Sequence, residues 1–156
     1  MRVSSPAWHR LRLPVLAVLA GGLAAAAEVA AEAPDWSAHA DRDTVHVITT
    51  DEDGARRETK VWLVVVAGQP FVRTGSTTWG TNVERDPRIA LRLEKGGPEV
   101  PLVAEFVTDE ALRERVSQAF REKYGLSDRL LALVRSSTPK IMRLLPRSAD
   151  AGAQAP

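Results

Sequence analysis

Lys60-Val61-Trp62-Leu63-Val64-Val65-Val66-Ala67-Gly68-Gln69-Pro70-Phe71-Val72-Arg73-Thr74-Gly75-Ser76-Thr77-Thr78-Trp79-Gly80-Thr81-Asn82 decides how this chain folds. Its first part, 60–67, is an almost unbroken apolar run, as expected of a strand buried on both faces in the middle of a barrel. Gly68-Gln69-Pro70 turns the chain into a second short strand, 71–74, that carries an arginine, Arg73, near its end. A hydroxyl-rich loop around Gly75 follows, then the first turn of a short helix over 78–85, stopped by Asp86-Pro87. A helix start leaves orphan N–H donors and a partial positive charge, so Arg73 and up to four hydroxyls there form a candidate phosphate site. The same Thr and Ser residues are equally suited to capping the helix.

The pattern on either side is mostly β. Residues 45–50 alternate, with Val45, Val47 and Thr49 on one face and His46, Ile48 and Thr50 on the other. Asp51-Glu52-Asp53-Gly54 is a polar turn, its acids expected to be solvated. Ile89, Leu91 and Leu93 alternate with Ala90, Arg92 and Glu94, and Gly96-Gly97-Pro98 leads into a strand over 99–107. Two helices come next, the first carrying Leu112, Val116, Ala119 and Phe120 and ending before Gly125, the second capped by Ser127-Asp128. Residues 140–145 read as a last strand. The expectation is a mainly β (α+β) chain: a five- or six-stranded antiparallel split β-barrel with a short inserted helix and C-terminal helices, closed because closure removes exposed edges.

Outside this domain the composition changes. Residues 1–27 have a basic start (Arg2, His9, Arg10, Arg12), an apolar run over 13–27 and small residues before Glu28, the layout of a signal peptide or an uncleaved N-terminal anchor. Residues 28–42 read as a spacer, 43–147 as the domain and 148–156 as a disordered tail. The expected location is exported, periplasmic or in the cell envelope, touching membrane only through that N-terminal segment. Without residues 1–27, Lys and Arg fall from 21 to 18 against 20 Asp and Glu, so the net charge goes from +1 to −2. With no basic stripe, no nucleic-acid partner is expected. There are no cysteines, hence no disulfides, thiolate metal sites or cysteine nucleophiles.

The residues Thr59-Lys60-Val61-Trp62, Arg73-Thr74-Gly75, Trp79-x-x-Asn82 and Asp86-Pro87-Arg88 resemble the flavin-binding split-barrel superfamily. That group includes pyridoxamine-phosphate-oxidase-like proteins and deazaflavin-dependent nitroreductases, and the resemblance is closest to an uncharacterised subgroup with Val-Trp on the second strand. It covers about 43–147. It implies a homodimer holding FMN or a deazaflavin in a cleft between subunits, with the ring along the backbone of Lys60, Val61 and Trp62. It further implies cofactor contacts from Thr59, Lys60, Arg73, Thr74, Gly75, Ser76, Thr77, Trp79 and Asn82, and a small organic substrate.

Other readings stand beside this one. The chain could be a cofactor-free module that binds a small ligand or partner through the same cleft, with Arg73 paired to Glu84 or Asp86. It could also hold haem or another planar ring between Trp62 and Trp79. Each tryptophan is equally readable as core. His46 is the single histidine of the domain, and no second ligand set supports a metal. No Ser–His–Asp set is available, and Tyr124 reads as packing. Hydrolase chemistry has no visible machinery. Flavin chemistry needs none, because the cofactor carries it.

Overall fold

A computed structural model of the chain describes residues 33–134 and 138–147. The leader and tail expectations for 1–27 and 148–156, and the spacer up to 32, lie outside the described residues. Seven strands form one antiparallel sheet: β1 (Thr44–Thr50), β2 (Arg56–Trp62), β3 (Val64–Val66), β4 (Gln69–Thr74), β5 (Arg88–Arg92), β6 (Val100–Phe106) and β7 (Lys140–Pro146). Helix α1 (Thr78–Arg85) joins β4 to β5, and α2 (Glu110–Val134) joins β6 to β7.

The sheet order is β2-β1-β5-β6-β7-β4-β3. Its two edge strands, β2 and β3, are successive parts of one chain run separated only by Leu63. The sheet therefore curls back on itself, which is the split-barrel architecture. Here the count differs from the expected five or six strands. The apolar run 60–67 does not continue as one strand but breaks at Leu63, so that its halves can pair with β1 and β4 at opposite edges. Ala67 (φ 50°) and Gly68 (φ 72°) close the β3–β4 hairpin with two left-handed residues, matching the twist of the flanking strands.

Alternation sorts the side chains. Val45, Val47, Val61, Leu63, Val72, Leu91, Leu102, Met142 and Leu144 fill the barrel. Val64, Phe71 and Ile141 point outward, where Val116 and Phe120 of α2 cover them in a second cluster. Helix α2 contains Gly125 at φ 49°, ψ −118°, so two helical segments meet there, as its sequence suggested. Part of the stretch expected as a spacer is folded: Trp36–His39 is a single 3-10 turn capped by Asp35, and Trp36 is buried in the barrel core.

Lys123 and Tyr124 fasten α2 to the barrel. The Lys123 ammonium donates to the carbonyls of Ala40 (2.7 Å), Arg42 (2.6 Å) and Leu63 (3.1 Å). Burial pushes its pKa down. The Tyr124 hydroxyl accepts from the Leu63 N–H at 3.1 Å and lies 2.5 Å from the Asp43 carbonyl and 2.7 Å from that of Leu63. Burial raises its phenol pKa to about 12. A raised folded pKa means that the stabilisation is fully present below the unfolded value, about 10, and is lost as pH climbs through about 12. Tyr124 is the single tyrosine of the chain, so absorbance of the phenolate reads it alone. The expected midpoint is near 12 for the native protein and near 10 in denaturant; a native midpoint near 10 would contradict the burial of the phenol between α2 and the barrel.

Candidate functional site

Strand β4 ends at Thr74, and the chain must reverse into α1 within three residues. Thr77 is the N-cap: its backbone is extended (φ −128°, ψ 153°) and its hydroxyl accepts from the Gly80 N–H at 3.2 Å. The same hydroxyl lies 2.6 Å from that of buried Thr74. The approach is so close that a Cβ on Gly80 would meet Thr74 Oγ1 at 2.7 Å, so only glycine fits there. Trp79 and Val83 then insert into the barrel, while Ser76, Thr78 and Thr81 stay exposed on the outer side.

Across from this helix head stands the β1–β2 turn. Together they enclose a cleft of about 650 Å3, with Asp51, Glu52 and Asp53 on one wall, Ser76, Thr77, Thr78 and Thr81 on the other, and Asn82 and Arg85 between them. A dense network joins the walls. Asn82 is buried, and its amide nitrogen donates to Thr49 Oγ1 (3.0 Å) and Asp51 Oδ1 (2.6 Å). Arg57 grips Asp51 with two bonds of 2.8 and 2.7 Å. The Arg57 guanidinium first, and the Asn82 amide second, hold the Asp51 carboxyl below its usual range. Arg85 donates to the Thr50 carbonyl and, at 3.3 Å, to Asn82 Oδ1. Among the described residues, no group of three His, Asp or Glu is arranged to hold a metal ion.

The residues expected around one cofactor are thus distributed over several places. Ser76, Thr77 and Asn82 line the cleft, with Thr74 and Gly75 immediately behind them. Val61 and Trp79 face the barrel core. Trp62 and Arg73 lie on the outer wall beneath α2, where Trp62 stacks on Tyr124 at 4.3 Å and 5°. The Arg73 guanidinium sits 4.2 Å from the Phe120 ring centre and 5.6 Å from that of Trp62. Of the acids weighed as its partners, Glu84 pairs with Lys140 and Asp86 with Arg88. Trp62 and Trp79 occupy opposite sides of the barrel wall, so the groove expected between them does not form. Thr59 is half-buried, and Lys60 is exposed on β2, opposite His46.

His46 Nδ1 lies 2.9 Å from Glu58, which also binds Arg92; Glu99 joins Arg92 and Arg56, both at 2.6 Å. This outer face of β1, β2 and β5 is a layer of alternating charge. The pattern did not single out Arg85, Thr81 or the 51–53 turn as parts of the cleft. Their signal was weak because turn acids and surface helix residues carry the same composition in any soluble domain.

With this architecture the chain is a split-barrel protein. More narrowly, residues 36–143 match the family described as "Uncharacterized protein conserved in bacteria (DUF2255)", and the chain belongs to it. No curated protein matches it. Among solved structures it is similar to the conserved hypothetical protein Rv2991 from Mycobacterium tuberculosis, at TM-score 0.55 and 21% identity over 79% of this chain and 91% of that one. It is likewise similar to HutZ, the heme storage protein from Vibrio cholerae (TM-score 0.53, 19% identity, 69% and 84% covered). A third neighbour is a FAD-binding protein from Mesorhizobium loti (TM-score 0.53, 11% identity, 72% and 84% covered).

Proposed function

We propose that this chain is an exported, homodimeric split-barrel protein that binds FMN or a deazaflavin and serves redox exchange with a small organic acceptor. The observation that carries this reading is the cleft at the head of α1. There Ser76, Thr77, Thr78 and Thr81 of the helix head line one open space of about 650 Å3, at the end of α1 that carries the partial positive charge. These groups suit the polyol chain and phosphate end of such a cofactor. The fold is shared with a FAD-binding and a heme storage protein, which makes a planar redox ring the first class of ligand to test.

The ring end fits a single chain less well, since Trp79 is in the core and one face of Trp62 is covered by Tyr124. A second copy packed on the exposed Lys60 side of β2 would complete that half of the site. A flavin held there supplies the hydride or electron transfer; Ser76, Thr78 and Thr81 bind and orient its polar end, and the α1 dipole stabilises negative charge on it.

A cofactor-free binding module is the second reading, favoured by the placement of Trp79 and Arg73. Titration of the full chain with FMN and with a deazaflavin separates the two. The proposal expects saturable binding, on the order of micromolar, weakened roughly tenfold or more in the Ser76→Ala/Thr78→Ala double variant, as for the loss of two hydrogen bonds. Absence of binding to the wild-type chain would leave the module reading.

A further inference from the structure

Tyr124 is held in the way a bound aromatic ligand is held. Its ring lies flat on the Trp62 indole, with ring centres 4.3 Å apart and planes 5° from parallel. Stacked faces at such a separation attract beyond the area they bury. At the edge of the ring the hydroxyl meets the backbone of Leu63, accepting from its N–H at 3.1 Å and lying 2.7 Å from its carbonyl. The Asp43 carbonyl stands 2.5 Å from the same hydroxyl. Leu63 is the residue at which the apolar run breaks between β2 and β3. Arg73 adds a cationic rim, 5.6 Å from the Trp62 ring centre. A flat aromatic wall with one donor and two acceptors at its edge is a surface that recognises a ring bearing an O–H.

The apolar seat of the helix lies elsewhere. Val116 and Phe120 have no exposed surface, whereas Tyr124 and Trp62 are both only half-buried. Directly after Tyr124 comes Gly125 at φ 49°, ψ −118°, where a Cβ would meet nothing within 4 Å. That glycine serves a break in the backbone, not close packing. Tyr124 therefore ends the first helical segment of α2, where the chain can turn while Phe120 stays in place. We infer that Tyr124 is the built-in occupant of a ring site on Trp62: it blocks the site at rest and yields it to a hydroxylated aromatic ligand. The ligand's ring stacks on the indole, and its O–H donates to the Leu63 or Asp43 carbonyl in place of the phenol. None of these residues lines the cleft at the head of α1, so the site stands apart from the flavin reading. A tethered occupant competes at an effective concentration of roughly millimolar, and a free ligand's apparent affinity is reduced by the fraction of chains that are open.

The test uses the full chain, isotope-labelled on the tyrosine ring so that Tyr124 alone is observed by NMR, with 2-naphthol as the ligand. Stacking on an indole shifts ring signals upfield, and 2-naphthol is expected to move them saturably to the position of an exposed tyrosine. 2-Methoxynaphthalene, with the same rings but no O–H, is expected to bind at least about fivefold more weakly. Tyr124→Phe keeps the ring and deletes the hydroxyl that ties it to Leu63 and Asp43. The site then opens more often, and 2-naphthol should bind about tenfold tighter than to wild type, read by calorimetry. Adding Trp62→Leu to that variant should abolish the binding. If Tyr124 is packing alone, its signals stay in place at roughly millimolar 2-naphthol, and Tyr124→Phe binds within about twofold of wild type. Either of those results overturns the inference, as does binding that survives Trp62→Leu. Tyr124→Phe changes no ring volume, so the comparison with wild type stands even where the Trp62 variant fails to fold.

Discussion

Replacing Trp79 with alanine is expected to lower the unfolding free energy by about 3–5 kcal/mol, the range for emptying a large buried aromatic site. Trp79 is 6% exposed and packs in the barrel cluster with Val83 of the same helix. It is also the residue that seats α1, since Thr77 and Gly80 fix only the first turn of the helix. For a domain of this size the loss corresponds to a Tm drop on the order of 10 °C or more. Thermal unfolding of Trp79→Ala and Trp79→Phe checks it. The phenylalanine, which refills much of the volume, is expected to recover more than half of the loss. A Trp79→Ala protein that melts within a degree or two of wild type while losing flavin affinity would instead make Trp79 a ligand-stacking residue.

Phe120→Ala is the second large effect, also about 3–5 kcal/mol. Phe120 has no exposed surface, and it joins the outer wall of β3, β4 and β7 to α2 in the cluster with Val64, Phe71, Val116 and Ile141. Its ring also carries the Arg73 guanidinium at 4.2 Å and contacts Tyr124 at 5.8 Å between centres. The aliphatic stem and planar head of an arginine gain from such a surface. Removal therefore disturbs the Trp62–Tyr124 stack as well as the apolar seam. Two measurements read it: the unfolding transition, and the Tyr124 titration, whose midpoint should move down from about 12 as water reaches the phenol. A large loss of stability with an unchanged Tyr124 midpoint would mean that Phe120 does not support the Tyr124 environment.

How much of this was legible depended on whether the deciding forces were local. Helix α1 has the bounds expected from its sequence, because Thr77 caps it and Asp86-Pro87 ends it within the segment itself. The strand over 60–67 was readable as buried but not as broken. In an unbroken apolar run nothing marks which residues face in, and the break at Leu63 comes from closure of the whole sheet. Trp36 was hidden among Ala, Glu and Pro residues, whose composition reads as a spacer.

The candidate site was legible at the helix head and obscure elsewhere. Ser76, Thr77 and Asn82 converge because they lie within one turn and its cap. Arg73 and Thr74 are neighbours in sequence yet leave the strand on opposite faces, so the arginine goes to Phe120 and the threonine to Thr77. The 51–53 turn joins the cleft through the approach of Arg85 to Glu52 and the long-range bond from Asn82 to Asp51, which composition could not reveal. That bond is also why a turn whose acids were expected to be merely solvated forms one wall of the cleft.

The central claim is that this barrel binds a planar redox cofactor with its polar end at the head of α1. The most direct measurement is the absorption spectrum of the full-length protein purified from its native location, with any chromophore released by denaturation and identified. The account predicts a yellow protein releasing FMN or a deazaflavin at close to one per chain. A colourless protein that also stays colourless after incubation with both flavins and removal of the excess would contradict it.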